Sequence, residues 1–173
     1  MNKIFLLLFL CSGISIAQNK EILKELALRN AKTTSEATIS EDYKTVLKHT
    51  HPYLINLMGG NENASEIIKA SFKELRSKGI VYEKAEILSV SDVVFEQDEY
   101  RCLVKGYNQM KLPNLRVKAT SYLMGFYNAK DSIWYFIEAD KMNNKELADT
   151  LFPGFKTKLE IPKDVVETEE IKE

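Results

Sequence analysis

The chain has few of the residues that hold small proteins together by special chemistry. Its 173 residues include two cysteines, two histidines and one tryptophan. Two cysteines cannot build a disulfide-rich scaffold, and the cysteines and histidines are not clustered as they are in structural zinc sites. With seven glycines and four prolines, the sequence has no internal repeat and no Gly/Ser linker. We therefore expect a single domain that is stabilised by packing alone.

The sequence also lacks an excess of charge of either sign. It contains 24 basic and 25 acidic side chains, which gives a formal net charge of −1. A nucleic-acid-binding domain would carry a clustered basic excess, so we expect no nucleic-acid partner. After residue 17, no stretch is apolar over the roughly 20 residues that a membrane-spanning helix needs.

The first seventeen residues have the pattern of a secretory signal. Lys3 supplies the positive end, residues 4–10 are apolar, and Ala17 ends a small-residue cleavage site. Cleavage after Ala17 would leave Gln18 as the new N-terminus. The predicted location of the remaining domain, residues 18–162, is therefore the periplasm or the medium outside the cell.

Cys11 offers a competing interpretation, because bacterial lipoproteins are cut just before a cysteine that is then lipidated. The residue before that cysteine is normally small, whereas here it is Leu10, so we favour cleavage after Ala17. The exported protein then keeps Cys102 as its single thiol and forms no internal disulfide. Free cysteine is among the most buried residue types, so we expect Cys102 to be a buried side chain on a strand.

The first half of the chain has the apolar spacing of helices. One helix is predicted over residues 20–32, and a second begins at Ser40 as its N-cap. Pro52 permits a short third helix, although a strand at Leu54–Leu57 is the alternative.

The fourth helix is the clearest in the sequence. Asn63 is its predicted N-cap, with Glu66 three residues later as in a capping box, and Gly79 ends it. Its predicted buried stripe consists of Ile67, Ile68, Phe72 and Leu75.

After Gly79 the pattern changes to strands joined by short links, which imply antiparallel neighbours. The predicted strands are Ile80–Val90, Asp92–Glu96, Glu99–Met110, Leu115–Tyr127 and Ser132–Ala139. A last helix is predicted over Asn144–Phe152. The acidic tail, residues 163–173, has the composition of a disordered segment, so we expect it to be frayed.

Helices followed by an antiparallel sheet predict an α+β fold with about four to six strands. The order resembles the nuclear transport factor two-like fold, also called cystatin-like, and more particularly small exported proteins of unknown function from the Bacteroidota. The resemblance covers residues 20–162 and depends on His51-Pro52, Gly59-Gly60, Trp134–Ile137, Leu151–Pro153 and Leu159–Pro162. It implies N-terminal helices packed on a strongly curved, cone-shaped sheet, and it implies no particular chemistry.

His49 and His51 are the only histidines in the chain. On a strand, residues two apart face the same way, whereas on a helix they point about 200° apart. No Cys/His cluster supplies further ligands, so we predict no metal and no cofactor. The alternative role for this pair is to bind carbonyl groups at a helix end.

Aromatic and polar residues on the strands indicate a ligand pocket inside the cone, because such pockets are apolar with a few aimed polar groups. The candidate ligand-binding residues are His49, His51, Tyr107, Tyr122, Trp134, Phe136 and Asp140. Ordinary core packing is the competing interpretation for each aromatic side chain. Trp134, Phe136 and Glu138 share one face of their strand and Tyr135 and Ile137 the other, so both faces are apolar. This pattern favours a protein partner or a homodimer through the sheet.

These observations favour a non-catalytic ligand-binding or protein-interaction module of the bacterial envelope, with no predicted catalytic residue. The alternative is an isomerase- or dehydratase-type enzyme that uses a pocket carboxylate or histidine with a tyrosine donor. That alternative needs at least two of four side chains to converge around a cavity. The four are His49, His51, Tyr122 and Asp140.

Overall fold

A computed structural model describes the backbone of residues 2–171 and the side chains of residues 19–171. The fold is α+β with an antiparallel sheet, as predicted, and the sheet has six strands, one more than the five that were located in the sequence. The helices are α1 (Asn2–Ile39), α2 (Tyr43–His49), α3 (Pro52–Leu57), α4 (Asn61–Ser77), α5 (Asp140–Asn143) and α6 (Lys145–Leu151). The strands are β1 (Val81–Val90), β2 (Val94–Glu96), β3 (Glu99–Lys111), β4 (Leu115–Asn128), β5 (Ile133–Glu138) and β6 (Val165–Glu170). The side chains of the predicted signal, including Cys11, lie outside the described residues.

Helix α1 continues well beyond the predicted end at Lys32. Its later turns are rich in threonine, and the hydroxyls of Thr33, Thr34 and Thr38 each donate to the carbonyl four residues earlier at 3.0 Å. These bonds satisfy the polar side chains inside the helix, so they do not compete with it. Ser40 is not the cap of α2, because Asp42 takes that position and accepts from the Thr45 amide at 3.2 Å.

The helical prediction at Leu54–Leu57 is confirmed, since these residues belong to α3. The predicted capping box at Asn63 is wrong. The N-cap of α4 is Gly60, three residues earlier, whose φ of 94° turns the chain into the helix without a side-chain cap. The predicted stripe is also less buried than expected, because Ile67 is 47% exposed.

The sheet is organised around the long β3–β4 hairpin, which is paired from Tyr100–Tyr127 to Lys111–Arg116. Strands β1 and β2 pair in succession along the outer side of β3. Strands β5 and β6 do the same along the outer side of β4. Strands β1 and β5 are not paired with each other, so the sheet is open rather than closed into a barrel.

The two faces of the sheet carry separate apolar clusters. We call the first the cavity face, where Ala27 and Ala31 of α1 pack near Val104 and Phe136. We call the second the packed face; its buried strand residues include Leu103, Met124 and Phe126. Residues from α3, α5, α6 and the following segment cover the packed face, including Leu54, Met142, Leu151, Phe155 and Ile161.

A buried arginine fastens the segment after α6 to the β2–β3 hairpin. Arg101 is 4% exposed, and its guanidinium binds the Glu99 carboxylate and donates to the Lys156 carbonyl at 2.7 Å. It also lies over the ring of Phe155, 4.8 Å from the centroid. Glu96 completes the contact by accepting from the Lys158 amide at 2.7 Å.

The acidic tail is not frayed over Val165–Glu170, which contradicts the expectation from its composition. These residues form β6 and pair with the first half of β4, Val166 opposite Ala119. Lys118 on β4 adds an ion pair to Glu169 at 2.8 Å. Composition misses this strand because its partner is an unpaired sheet edge far away in sequence.

The apolar outer side of β5 is covered by the chain itself. Ile137 packs in the same cluster as Met142 and Leu151. The pattern that favoured a homodimer is thus explained within one chain. Among the described residues, no helix is long and apolar enough to cross a membrane.

Candidate functional site

A cavity of about 580 Å³ lies between α1 and the sheet. Most of its surface is apolar. Residues of α1, α2, α6 and the first, third, fourth and fifth strands line it, among them Ala31, Val46, His49, Ile87, Leu123, Phe136 and Leu147.

The cavity exists because short side chains face each other across the gap. Helix α1 contributes alanine, threonine and serine there, and the sheet contributes residues that are equally small. The residues concerned are Ala31, Thr34 and Ser35 on the helix and Ala85, Gly106 and Ser121 on the sheet. Helix and sheet remain in contact at the margin, where the Ser35 hydroxyl donates to the Ala85 carbonyl at 2.5 Å.

The other end of the same face is filled by Trp134, which is fully buried. Its indole Nε1 donates to the Leu23 carbonyl at 3.0 Å, and its amide donates to Asn30 Oδ1 at 3.0 Å. Gly125 makes room for the ring, because a Cβ there would lie 3.1 Å from Trp134 Cε3 and 3.0 Å from Cys102 Sγ. One face of the sheet is therefore tightly packed at one end and hollow at the other.

Cys102 belongs to the filled end and is fully buried on β3, as predicted. Burial raises the pKa of its thiol to about 12. A thiol in this state is neutral at physiological pH and is neither a nucleophile nor a metal ligand.

His49 is the most informative polar group in the cavity wall. It ends α2 and is 4% exposed, and its Nδ1 lies 3.0 Å from the Trp134 carbonyl. A carbonyl only accepts, so Nδ1 carries the proton and Nε2 is left as an acceptor. Burial lowers the pKa of His49, which keeps the ring neutral.

A few further polar groups line the cavity. Asn108 and Ser121 are diagonal neighbours on β3 and β4, with Asn108 Nδ2 3.5 Å from Ser121 Oγ. Tyr82 lines the wall from β1, and burial, with Glu138 as a second cause, raises the pKa of its hydroxyl. This hydroxyl is therefore protonated and can donate a hydrogen bond.

Charged residues lie beside the cavity at the end of β5. Lys141 Nζ is 3.2 Å from Glu138 Oε2 and 3.6 Å from Asp140 Oδ2. Glu138 and Lys141 line the cavity, and Glu86 does so from β1. The positive charge of Lys141 is thus balanced by carboxylates on its own segment.

Of the seven sequence candidates, only His49 and Phe136 line the cavity. Trp134 fills the closed end, as the core-packing interpretation held. Tyr122 packs at the packed face. Tyr107 donates from its hydroxyl to Gln109 Oε1 at 3.0 Å. Asp140 begins α5 and is about half exposed.

His51 lies on the opposite face from His49. It is the N-cap of α3, where its Nδ1 accepts from the Tyr53 amide at 3.2 Å. Its ring makes edge contacts with Phe126 and Phe152 at centroid distances of 5.0 and 4.9 Å. Burial lowers the pKa of His51 to about 4. Because the two histidines meet different sides of the sheet, they do not share a ligand.

Sequence reasoning missed the contribution of α1 and of the small residues on the middle strands. Thr34, Ser35, Gly106 and Ser121 carry no functional motif, and they matter here because they are short. The threonine- and serine-rich turns of α1 could have been a signal, since they interrupt an otherwise apolar helix face.

Within residues 19–171, no group of three or more His, Cys, Asp or Glu side chains is arranged to hold a metal ion. Comparison with known proteins gives no match to any family model, curated protein or solved structure. The interpretation of the site therefore depends on its geometry and chemistry alone.

Proposed function

We propose that this protein is a non-catalytic binding module that holds a small, mainly apolar ligand in the cavity between α1 and the sheet. One observation carries the proposal: a cavity of about 580 Å³ with a largely apolar wall and a few polar groups. Ligand sites in proteins typically have about this volume and this mixture of surfaces. A domain that was built only for packing would cover this wall, because apolar surface left in contact with water forgoes the free energy of burial.

We further propose that the layout is of the nuclear transport factor two-like kind and that the module works in the bacterial envelope. The helices preceding a long antiparallel sheet and the location of the cavity between them support the first part. The signal pattern ending at Ala17 supports the second. Mass analysis of the exported protein tests the location, with Gln18 as the expected N-terminus and a lipidated Cys11 as the contrary result.

The positions of the four candidate catalytic side chains do not favour the enzyme alternative. It requires two of four side chains around one cavity, and His49 is the one that lines it. His51 and Tyr122 contact the packed face instead, and Asp140 is paired with Lys141. An acid–base pair at a shared substrate would need both groups within hydrogen-bond reach of it.

Binding of the neutral dye N-phenyl-1-naphthylamine tests the proposed function. We expect its fluorescence to rise on mixing with the purified protein and to saturate near one dye per chain. Gly106→Val should abolish the rise, because a Cβ at Gly106 has ordinary contacts of 3.7 and 3.9 Å and the added methyls would enter the cavity. Ala129→Val, in the exposed turn after β4, is the matched control and should bind like the natural chain.

Two results would contradict the proposed function. One is the absence of any fluorescence rise with the folded natural protein. The other is a rise that Gly106→Val leaves unchanged, because the dye would then be bound elsewhere on the surface.

A further inference from the structure

The hydrogen-bonding pattern of His49 points to a particular kind of ligand. Its Nδ1 is committed to the Trp134 carbonyl at 3.0 Å, and the side chain is 4% exposed. Among the residues that the structure describes, its Nε2 has no hydrogen-bond partner, although the ring lines the cavity. A neutral imidazole nitrogen in this position only accepts, so the ligand group that meets it must be a donor.

The charges around the cavity argue against an anionic ligand. Lys141 supplies the positive charge of the described lining, and it is already paired with Glu138 and Asp140. Glu86 and Glu138 add negative charge to the same wall. A carboxylate moved out of water into this site would meet no free cation and would lose its hydration.

The remaining wall suits an alkyl chain or ring system. Ile87, Leu123, Phe136 and Leu147 offer apolar contact around the polar spot at His49. A fatty acid and a fatty alcohol of equal length would make the same contacts with these residues. They differ at the head group: the carboxylate of the fatty acid is an anion that only accepts hydrogen bonds, whereas the hydroxyl of the fatty alcohol is neutral and can donate one.

We propose that the ligand is a neutral amphiphile of the long-chain alcohol class, whose hydroxyl donates a hydrogen bond to His49 Nε2 and whose apolar body fills the cavity. This inference rests on the proposed binding function and adds the class of ligand. Fatty-acid anions of the same length are the molecules that the site rejects.

Displacement of bound N-phenyl-1-naphthylamine at pH 8 tests the proposal with three ligands of one chain length: 1-decanol, decyl methyl ether and decanoate. We expect 1-decanol to bind about three- to tenfold more tightly than the ether, which has no donor, since a net hydrogen bond has about that effect. Decanoate should bind at least about tenfold more weakly than 1-decanol.

His49→Asn is the matching variant. The asparagine amide can still donate to the Trp134 carbonyl from nearly the position of Nδ1, but it presents nothing at the position of Nε2. The preference for alcohol over ether should therefore disappear in His49→Asn. Val46→Ala, which trims an apolar part of the wall, should weaken all three ligands to a similar extent and leave their ratios unchanged.

The outcomes separate the two proposals. If the dye binds and Gly106→Val blocks it, but the ether or decanoate binds as tightly as 1-decanol, the ligand class is wrong and the binding function stands. If the natural protein binds no dye, both proposals fail. The comparison of alcohol with ether uses the natural chain, so it tests the ligand class even where His49→Asn does not fold.

Discussion

The two faces of the sheet are covered in different ways: one is closely packed, and the other leaves a cavity under α1. On the packed face, aromatic rings and a buried arginine lie under the segment that follows α6, with Phe126 stacked on Phe152 at 5.1 Å. On the cavity face, α1 meets the sheet with short side chains and leaves about 580 Å³ open. Close packing stabilises the packed face, and incomplete packing on the cavity face leaves the space in which we propose that a ligand binds.

The histidines show the same difference on a smaller scale. His49 and His51 are two residues apart, and the segment between them runs along β5, where the His51 amide donates to the Phe136 carbonyl at 3.3 Å. His49 borders the cavity, and its acceptor nitrogen meets no partner among residues 19–171. His51 is packed among rings and uses its acceptor to cap α3.

Loss of Arg101 should have the largest effect on the packed face. Arg101→Met leaves the Glu96 and Glu99 carboxylates without their cation and releases the segment at Lys156, so we expect a loss of about 3–5 kcal/mol in the free energy of unfolding. Urea denaturation measures this loss, and limited proteolysis should cut after Phe152. Arg76→Met, which removes an exposed partner of Glu41, should cost less than about 1 kcal/mol. Equal losses in the two variants would show that the buried network does not fasten the segment.

A pair of glycine substitutions compares the filled and hollow ends of the cavity face. Gly125→Ala pushes a methyl group to 3.0 Å from Cys102 Sγ, so overpacking should lower the free energy of unfolding by about 1–3 kcal/mol. At Gly106, which faces the cavity, an added Cβ would lie 3.7 Å from the nearest atom. Gly106→Ala should therefore change the free energy of unfolding by less than about 1 kcal/mol. Urea denaturation of both variants gives the comparison. A large loss in Gly106→Ala would mean that this end is closed.

His51 makes the packed face sensitive to acid. Its folded pKa of about 4 lies below the ordinary 6.5, so the unfolded chain takes up the proton first. Above pH 6.5 the His51 ring is neutral in both states and does not affect the free energy of unfolding. As the pH falls from 6.5 towards 4, protonation of the unfolded chain lowers this free energy, by about 2 kcal/mol at pH 5.

His51→Asn isolates this titration, because asparagine keeps an acceptor for the Tyr53 amide. Thermal or urea unfolding of both proteins at pH 7.5 and pH 5 gives the measurement. The natural chain should lose about 2 kcal/mol more than the variant over this range. Parallel losses would assign the acid sensitivity to other groups.

The smallest effect is expected from the C-terminal strand. Val165 and Val166 are 55% and 62% exposed, so ending the chain after Asp164 removes little buried surface and should cost less than about 1 kcal/mol. Ending it after Thr150 also removes Phe152 and Phe155 and should abolish cooperative unfolding. Loss of dye binding in the chain that ends after Asp164 would assign β6 a role that its exposure does not suggest.

Much of the fold could be predicted from local patterns. Strand alternation and short links predicted the strands β1 to β5 and the three hairpins that join β2 to β5, and apolar spacing predicted the early helices, whereas the pairing of β1 with β3 was not predicted. The start of α4 and the pairing of β6 could not be predicted. The first depends on a positive φ at Gly60, and the second depends on a sheet edge about fifty residues earlier in the chain.

The candidate site was predictable only at His49 and Phe136. Tyr107 and Tyr122 were predicted to bind the ligand because aromatic residues line many pockets. The residues next to them in sequence, Gly106 and Ser121, are paired across β3 and β4 and face the cavity instead. A one-residue shift in register exchanges the faces of a strand. The sequence alone does not reveal which face α1 will cover.

The sequence by itself determined the α+β class, with early helices followed by antiparallel strands, because periodicity and short links are local properties. The tertiary structure decided where the chain is packed and where it is hollow. The cavity depends on short side chains that are far apart in sequence, such as Ser35, Gly106 and Ser121. They lie on opposite walls of the space between α1 and the sheet and are too small to fill it. Whether a small residue closes a core or opens a cavity depends on its neighbours in space, and those are set by the fold.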